Sequence, residues 1–379
     1  MKENNNINRR DFLRLSGLAS AGVILAACGT PAAPGSQAPA ANAGGGAAAS
    51  TTVSNTTAAG AATGVKEVAR EKTLILMFGG NQGQYTDVGL GNPYATGATH
   101  QDGQAALWEP LYFYSAFADE HIPWLAESYK YNDDFTELTI KIRNGVTWSD
   151  GQPFTAKDVA FTINMLMKNG KDEKAAKISN STEVSKWVKE ATAVDDATAK
   201  ITFNDPRPRF MFSHLSFKYD TGIVIVPEHI FKDIADPAAE KGWDAAKGLP
   251  LSTGPYTISA WTPQQLFIDR RDDWWAVKTG FVKELPAVER ILVLPTADET
   301  TMAQMVINNQ LDSLLDLRAT TIKKVVEANP KIITHTNKDL PLGYMDWWPT
   351  SFWFNCAEGA FADKNVRWAV SYSIDRQQM

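Results

Sequence analysis

The thiol best placed for covalent chemistry is that of Cys28, which follows Leu25-Ala26-Ala27. Small residues before a cysteine suit cleavage by a signal peptidase, and the new amino-terminal cysteine can then carry acyl chains. The tetrapeptide resembles a bacterial lipobox. Upstream, Asn8-Arg9-Arg10-Asp11-Phe12-Leu13-Arg14 resembles a twin-arginine export signal, with general secretion as the open alternative. The apolar run 15–27 is shorter than the roughly 20 residues of a membrane span and fits the h-region of a signal peptide. Residues 1–28 are therefore expected to direct export, with Cys28 as the lipidation site. The expected location is the outer face of the cytoplasmic membrane, at the cell surface or in the periplasm. Lipid would be the only membrane contact, and more than one acyl chain is needed because a single chain binds only marginally.

The other reactive side chains form no pattern for catalysis. His100, His121, His214, His229 and His335 are scattered, without metal-ligand spacing or a paired carboxylate motif. There is no Gly-x-Ser-x-Gly elbow and no phosphate loop. Acylation of Cys28 leaves Cys356 alone, so no internal disulfide is expected. Its neighbours Phe354, Asn355 and Ala357 predict a buried strand in which Cys356 acts as a small apolar residue. Asp150-Gly151 reads as a turn, and Asp158, Asp312 and Asp375 as caps or packing charges. No catalytic residue, metal or cofactor is expected. Twelve tryptophans remain. An indole combines a large apolar face with one N–H donor, so most should fill the core and several should line a gripping surface. The net charge of −6 becomes −8 once the four cations and two anions of residues 1–27 are removed. No basic patch stands out, which excludes nucleic acid as a partner.

These groups need a frame. Residues 29–65 are almost entirely Ala, Gly, Thr, Ser, Pro and Asn, without charge. Such a stretch cannot offset its ordering entropy and reads as a disordered tether. The folded part begins near Val65 and is long enough for two lobes. The pattern predicts strands at 73–78, 138–142, 198–203, 256–261, 266–270, 291–294 and 352–355, and a helix running into a strand over 104–114. Thr155 is expected to cap a helix that ends at Asn169-Gly170, with Asp158 as its acidic partner. Further helices are expected at 227–231, 300–308 and 320–329. Asp363 should cap a last helix whose Val366, Ala369, Val370 and Ile374 share one face. This is a mixed α/β chain without internal repeats.

Several blocks resemble one family closely. They are Trp108-Glu109-Pro110-Leu111, Pro123-Trp124-Leu125-Ala126-Glu127-Ser128, and the run from Gly145 to Thr162 containing Trp148-Ser149-Asp150-Gly151-Gln152-Pro153-Phe154-Thr155. Ser252-Thr253-Gly254-Pro255-Tyr256, Asp273-Trp274-Trp275, Asn309-Gln310-Leu311-Asp312 and Asp363-Lys364-Asn365-Val366-Arg367 follow in order. The chain resembles the solute-binding lipoproteins of ABC importers, bacterial extracellular solute-binding protein family 5. That family includes oligopeptide-, dipeptide-, nickel- and oligosaccharide-binding members.

The resemblance implies a periplasmic-binding-protein-like two-lobe fold of type II, cluster C-like. It places lobe one at 66–285, with an extra subdomain at about 81–195, and the start of lobe two at 286–379. Members are usually longer, so the second lobe is expected to be incomplete, with an uncovered sheet edge. The implied function is capture of an extended solute between the lobes and its delivery to an ABC permease by a monomeric protein. Peptide comes first, oligosaccharide second and a metallophore a distant third. A lipid-tethered hydrolase is the alternative of another class. Two regions are implied as ligand-binding: Gly79, Gly80, Asn81 and Tyr94 in the loop after the first strand, and Tyr344, Trp347 and Trp348 entering lobe two. Adjacent tryptophans on a strand point to opposite faces, so one of the pair would face the cleft. Trp148, Trp274 and Trp275 are expected in the core.

Overall fold

A computed structural model describes residues 65–77, 91–95, 106–172, 178–218, 222–240, 242–314, 317–337, 342–343 and 352–376. In chain order the elements are β1 (Thr73–Met77), β2 (Tyr112–Ser115), β3 (Glu120–Pro123), β4 (Ala126–Tyr131), β5 (Glu137–Ile142), α1 (Ala156–Asn169) and α2 (Ser181–Trp187). Next come β6 (Val188–Asp195), β7 (Thr198–Phe203), α3 (Phe210–His214), β8 (Ser216–Phe217), α4 (Glu228–Phe231), β9 (Tyr256–Thr262), β10 (Gln265–Arg270) and α5 (Trp275–Lys278). The series closes with β11 (Arg290–Leu294), α6 (Glu299–Ile307), β12 (Ser313–Leu314), α7 (Ala319–Ala328) and α8 (Lys364–Ser373).

The frame is a five-stranded mixed sheet in the order β12-β1-β11-β10-β9. β12, β1 and β11 are parallel, and β10 and β9 continue antiparallel. Successive side chains on a strand face opposite ways, and both faces of this sheet are covered. Ile291, Val293, Leu266 and Ile268 pack on one side with Leu107, Trp108 and Val224. Ile75, Met77, Phe267 and Leu292 pack on the other with Met302 and Leu311. Two charged side chains, one buried and one exposed, lock the strands in register. Arg290 is 3 % exposed and grips both oxygens of Asp269 at 2.6 and 2.8 Å, while also donating to the Lys66 carbonyl. Asp312 accepts from the backbone N–H of Ile75 and from Arg70, both at 2.7 Å, fastening the approach to β12 onto β1.

A second sheet is inserted in the β1–β9 connection. It runs β4-β5-β7-β6, entirely antiparallel, and is covered by α1. Leu138, Ile140 and Ile142 point inward as their alternation predicts. The predicted capping box is formed at α1: Thr155 caps the helix start, and the Asp158 carboxylate accepts from the Thr155 N–H. Asp158 also accepts from the Glu228 N–H, so this buried acid serves two helix starts at once. A small third sheet, β3-β2-β8, flanks the insertion.

Three expectations are corrected. The boundary at 285/286 fails because β11 lies between β1 and β10, so the first sheet runs at least to Leu314. The inserted sheet itself ends at Phe203 rather than near 195. Residues 352–356 form no strand, and Cys356 is an exposed free thiol, because no neighbouring strand pairs with this segment among the described residues. Likewise α8 buries none of its residues. Its described neighbour is the short 3-10 turn Ala360–Ala362.

Candidate functional site

Open sheets with parallel strands bind ligands beyond the carboxyl ends of those strands, where the chain departs to opposite sides. Here β1 is the central parallel strand, with β11 on one flank and β12 on the other. Met77 stands opposite both Leu294 and Leu314, so the three strands end level. The start of α6 lies just after this edge, with Asp298 accepting from the N–H groups of Thr300 and Thr301. Glu299 accepts from the Arg318 N–H at 2.9 Å and ties the entry of α7 to that of α6. A cavity of about 470 Å³ opens beside this edge, between β12, α6 and α7, with Asp312, Ser313, Leu314 and His335 among its walls.

Gly79, Gly80 and Asn81 follow Met77 in the chain but lie outside the described residues. Tyr344, Trp347, Trp348 and Cys28 lie outside them as well. Tyr94 is described, and it differs from the expectation. Its ring is 4 % exposed, and its hydroxyl donates to the Val224 carbonyl. Burial holds its pKa far above the usual phenol value. Its N–H donates to Asn92, whose own amide reaches the Pro237 and Glu240 carbonyls at 2.8 Å. Tyr94 therefore braces the scaffold and leaves no hydroxyl for a ligand. Trp148, Trp274 and Trp275 are core residues, at 1, 5 and 0 % exposure. Trp353 is 81 % exposed.

A buried acid was missed in the sequence. Glu109 is buried where the inserted sheet meets the main one, and its oxygens accept the indole N–H groups of Trp124 at 2.8 Å and Trp275 at 2.7 Å. Burial pushes its pKa up to about 7 against the pull of those donors. The readable signal was a charged residue set in the apolar run Trp108-Glu109-Pro110-Leu111. Another close pair is His121 Nε2 and Ser216 Oγ, 2.6 Å apart. Ser216 Oγ also lies within hydrogen-bond distance of the Met211 carbonyl, which can only accept, so that carbonyl competes with the ring for the Ser216 proton. Among the described residues no group of three or more His, Cys, Asp or Glu side chains converges as a metal site. No helix among them is long and apolar enough to cross a membrane.

Comparison with known proteins decides the family. Residues 120–379 match the model of bacterial extracellular solute-binding proteins, family 5 middle. The chain belongs to this family. The glutathione-binding protein GsiB of Pectobacterium atrosepticum is 24 % identical over 257 residues, covering 67 % of this chain and 44 % of that protein. The oligopeptide ABC transporter, periplasmic oligopeptide-binding protein of Thermotoga maritima, solved with mannohexaose bound, is 28 % identical. Its TM-score is 0.54, with 67 % of this chain and 43 % of that one covered. AppA of Bacillus subtilis, the oligopeptide-binding protein solved with a nonapeptide, shares the fold at 19 % identity and a TM-score of 0.53, covering 68 % of this chain and 46 % of that one. The family 5 chain thus spans less than half the length of these relatives.

Proposed function

We propose that this family 5 chain captures a small extended solute, a peptide before others, and hands it to the permease of an ABC importer. The observation that carries the reading is the level carboxyl edge of β12, β1 and β11 within a chain whose residues 120–379 match the family. The 79–81 loop, which leaves that edge in sequence, and one of Trp347 and Trp348 would supply backbone and aromatic contacts to the solute. The reading includes lipidation at Cys28, action outside the cytoplasmic membrane, a monomer, and no catalysis. An oligosaccharide is the second reading, because the Thermotoga relative holds mannohexaose.

Thermal shift of the full chain tests this, with di- to pentapeptides against manno- and cello-oligosaccharides. A ligand at about 100 times its Kd stabilises by about 2.7 kcal/mol, so the correct class raises Tm in a concentration-dependent way. Replacing one of Trp347 and Trp348 by alanine should abolish the shift, and replacing the other should leave it. Failure of both ligand classes to shift Tm would refute the reading.

A further inference from the structure

The segment Asp205-Pro206-Arg207-Pro208-Arg209 leads from β7 into α3. Its two prolines fix their φ angles and stiffen the approach. The Arg207 guanidinium sits over the Trp187 ring, 4.6 Å from its centroid. Its Nε is buried and has no acceptor among the described residues. Asp205 is the acid beside it, but the closest approach is 3.9 Å and that carboxylate is 73 % exposed. Arg209 is exposed and reaches over Phe212, 5.4 Å from the ring centroid. Between them opens a cavity of about 260 Å³, walled by Trp187, Phe210, Ser213, His214 and the two prolines. Burial holds His214 below the usual imidazole range despite the nearby Glu183, so it adds no charge at neutral pH. The Lys218 ammonium is turned to the Phe212 and Ser213 carbonyls.

Two permanent cations therefore face one apolar, aromatic hollow in a protein whose net charge is −6. The arrangement matches a planar anion. Guanidinium forks pair with carboxylate or phosphate oxygens, and here the terminal N–H groups of Arg207 and Arg209, not the enclosed Arg207 Nε, are the donors open to a ligand. Indole, phenyl and proline surfaces suit a flat apolar body. The volume falls just below the roughly 300 Å³ at which ligand pockets commonly begin, so the ligand is small. We infer that this hollow is a second ligand site, taking a small molecule that joins a carboxylate or phosphate to a planar apolar body. It shares no residue with the solute edge, so it stands whether or not that reading holds.

Isothermal titration of the full chain with benzoate, phenyl phosphate, inorganic phosphate and benzyl alcohol tests the inference. Saturable 1:1 binding is expected for at least one planar anion, and the first two probes tell carboxylate from phosphate preference. Inorganic phosphate and benzyl alcohol should bind at least about tenfold more weakly. Arg209→Ala, at an exposed position, should weaken the planar anion at least about tenfold, and Trp187→Leu should do the same. Exchange of the exposed Lys323 of α7, an element that lends no residue to the hollow, for alanine should change nothing. The inference is overturned if neither planar anion saturates, if inorganic phosphate binds as well as phenyl phosphate, or if Arg209→Ala binds unchanged.

Discussion

Glu109 shows how one buried acid can govern stability. Its closest partners are two indoles, with Thr253 and Trp274 adding weaker support, and among the described residues no cation offsets its burial. Its carboxyl titrates at about 7 in the folded protein, against 4.5 as its ordinary value. The folded state therefore holds a proton that the unfolded chain releases first. Below about pH 4.5 the group is neutral in both states and costs nothing, and the penalty grows to roughly 3 kcal/mol as the pH passes about 7. Burial lowers the pKa of His121 and His214, and these act in the opposite sense, destabilising the fold as pH drops below their ordinary 6.5. The wild-type profile mixes the two effects, but comparison with Glu109→Gln isolates the acid. The amide offers one good acceptor to two indole donors, so the variant should be less stable by about 1–3 kcal/mol near pH 5. Urea midpoints should then show that gap closing by about 3 kcal/mol towards pH 8. A gap constant across that range would rule out the assigned role. The sequence displayed the acid but not its purpose, because Trp124 and Trp275 lie 15 and 166 residues away along the chain.

Elements were legible where their signals were local. The Thr155–Asp158 capping box, the alternation of 138–142 and the Pro227 helix start all lie within a few residues, and all formed. Readings that depended on what lies alongside failed. The pattern of 291–294 marks a strand but says nothing of its insertion between β1 and β10. The apolar spacing of Val366, Ala369, Val370 and Ile374 is helical, yet none of the four is fully buried among the described residues. Of the candidate site, only Tyr94 fell among the described residues, and an aromatic residue after a glycine-rich loop reads the same whether it braces or grips. The α1–α2 contact gives a test at this scale. Gly170 ends α1 against the start of α2, and a Cβ there would lie 1.9 Å from the Ser181 carbonyl oxygen. Gly170→Ala should force the helices apart and cost at least about 1–3 kcal/mol. At Gly343 a Cβ meets nothing within 4 Å among the described residues, so Gly343→Ala should be neutral or stabilise by at most about 1 kcal/mol. Equal denaturation midpoints for the two variants would contradict the close approach.

Across the whole molecule, burial is unevenly distributed, and stability should follow it. The main sheet is covered on both faces, and the inserted sheet shares a large apolar cluster with α1. Leu138, Ile140 and Ile201 have no exposed surface at all. By contrast, α8 buries nothing, and its stacked Trp368 and Tyr372 are 56 and 79 % exposed. Local opening free energies range from near zero where apolar contacts are few up to the global value in core strands. Native-state hydrogen exchange on the full chain should therefore find β5 and β7 amides protected to the global unfolding free energy. Amides of α8 should exchange with little protection, since an isolated helix of this length is marginal in water. Addition of a solute that raises Tm should increase protection at the β12-β1-β11 edge, through the mass-action stabilisation that binding supplies. Protection of α8 equal to that of β5 in the unliganded protein would show that another surface covers its apolar face, and would overturn the assignment of α8 to the low-stability end of the molecule.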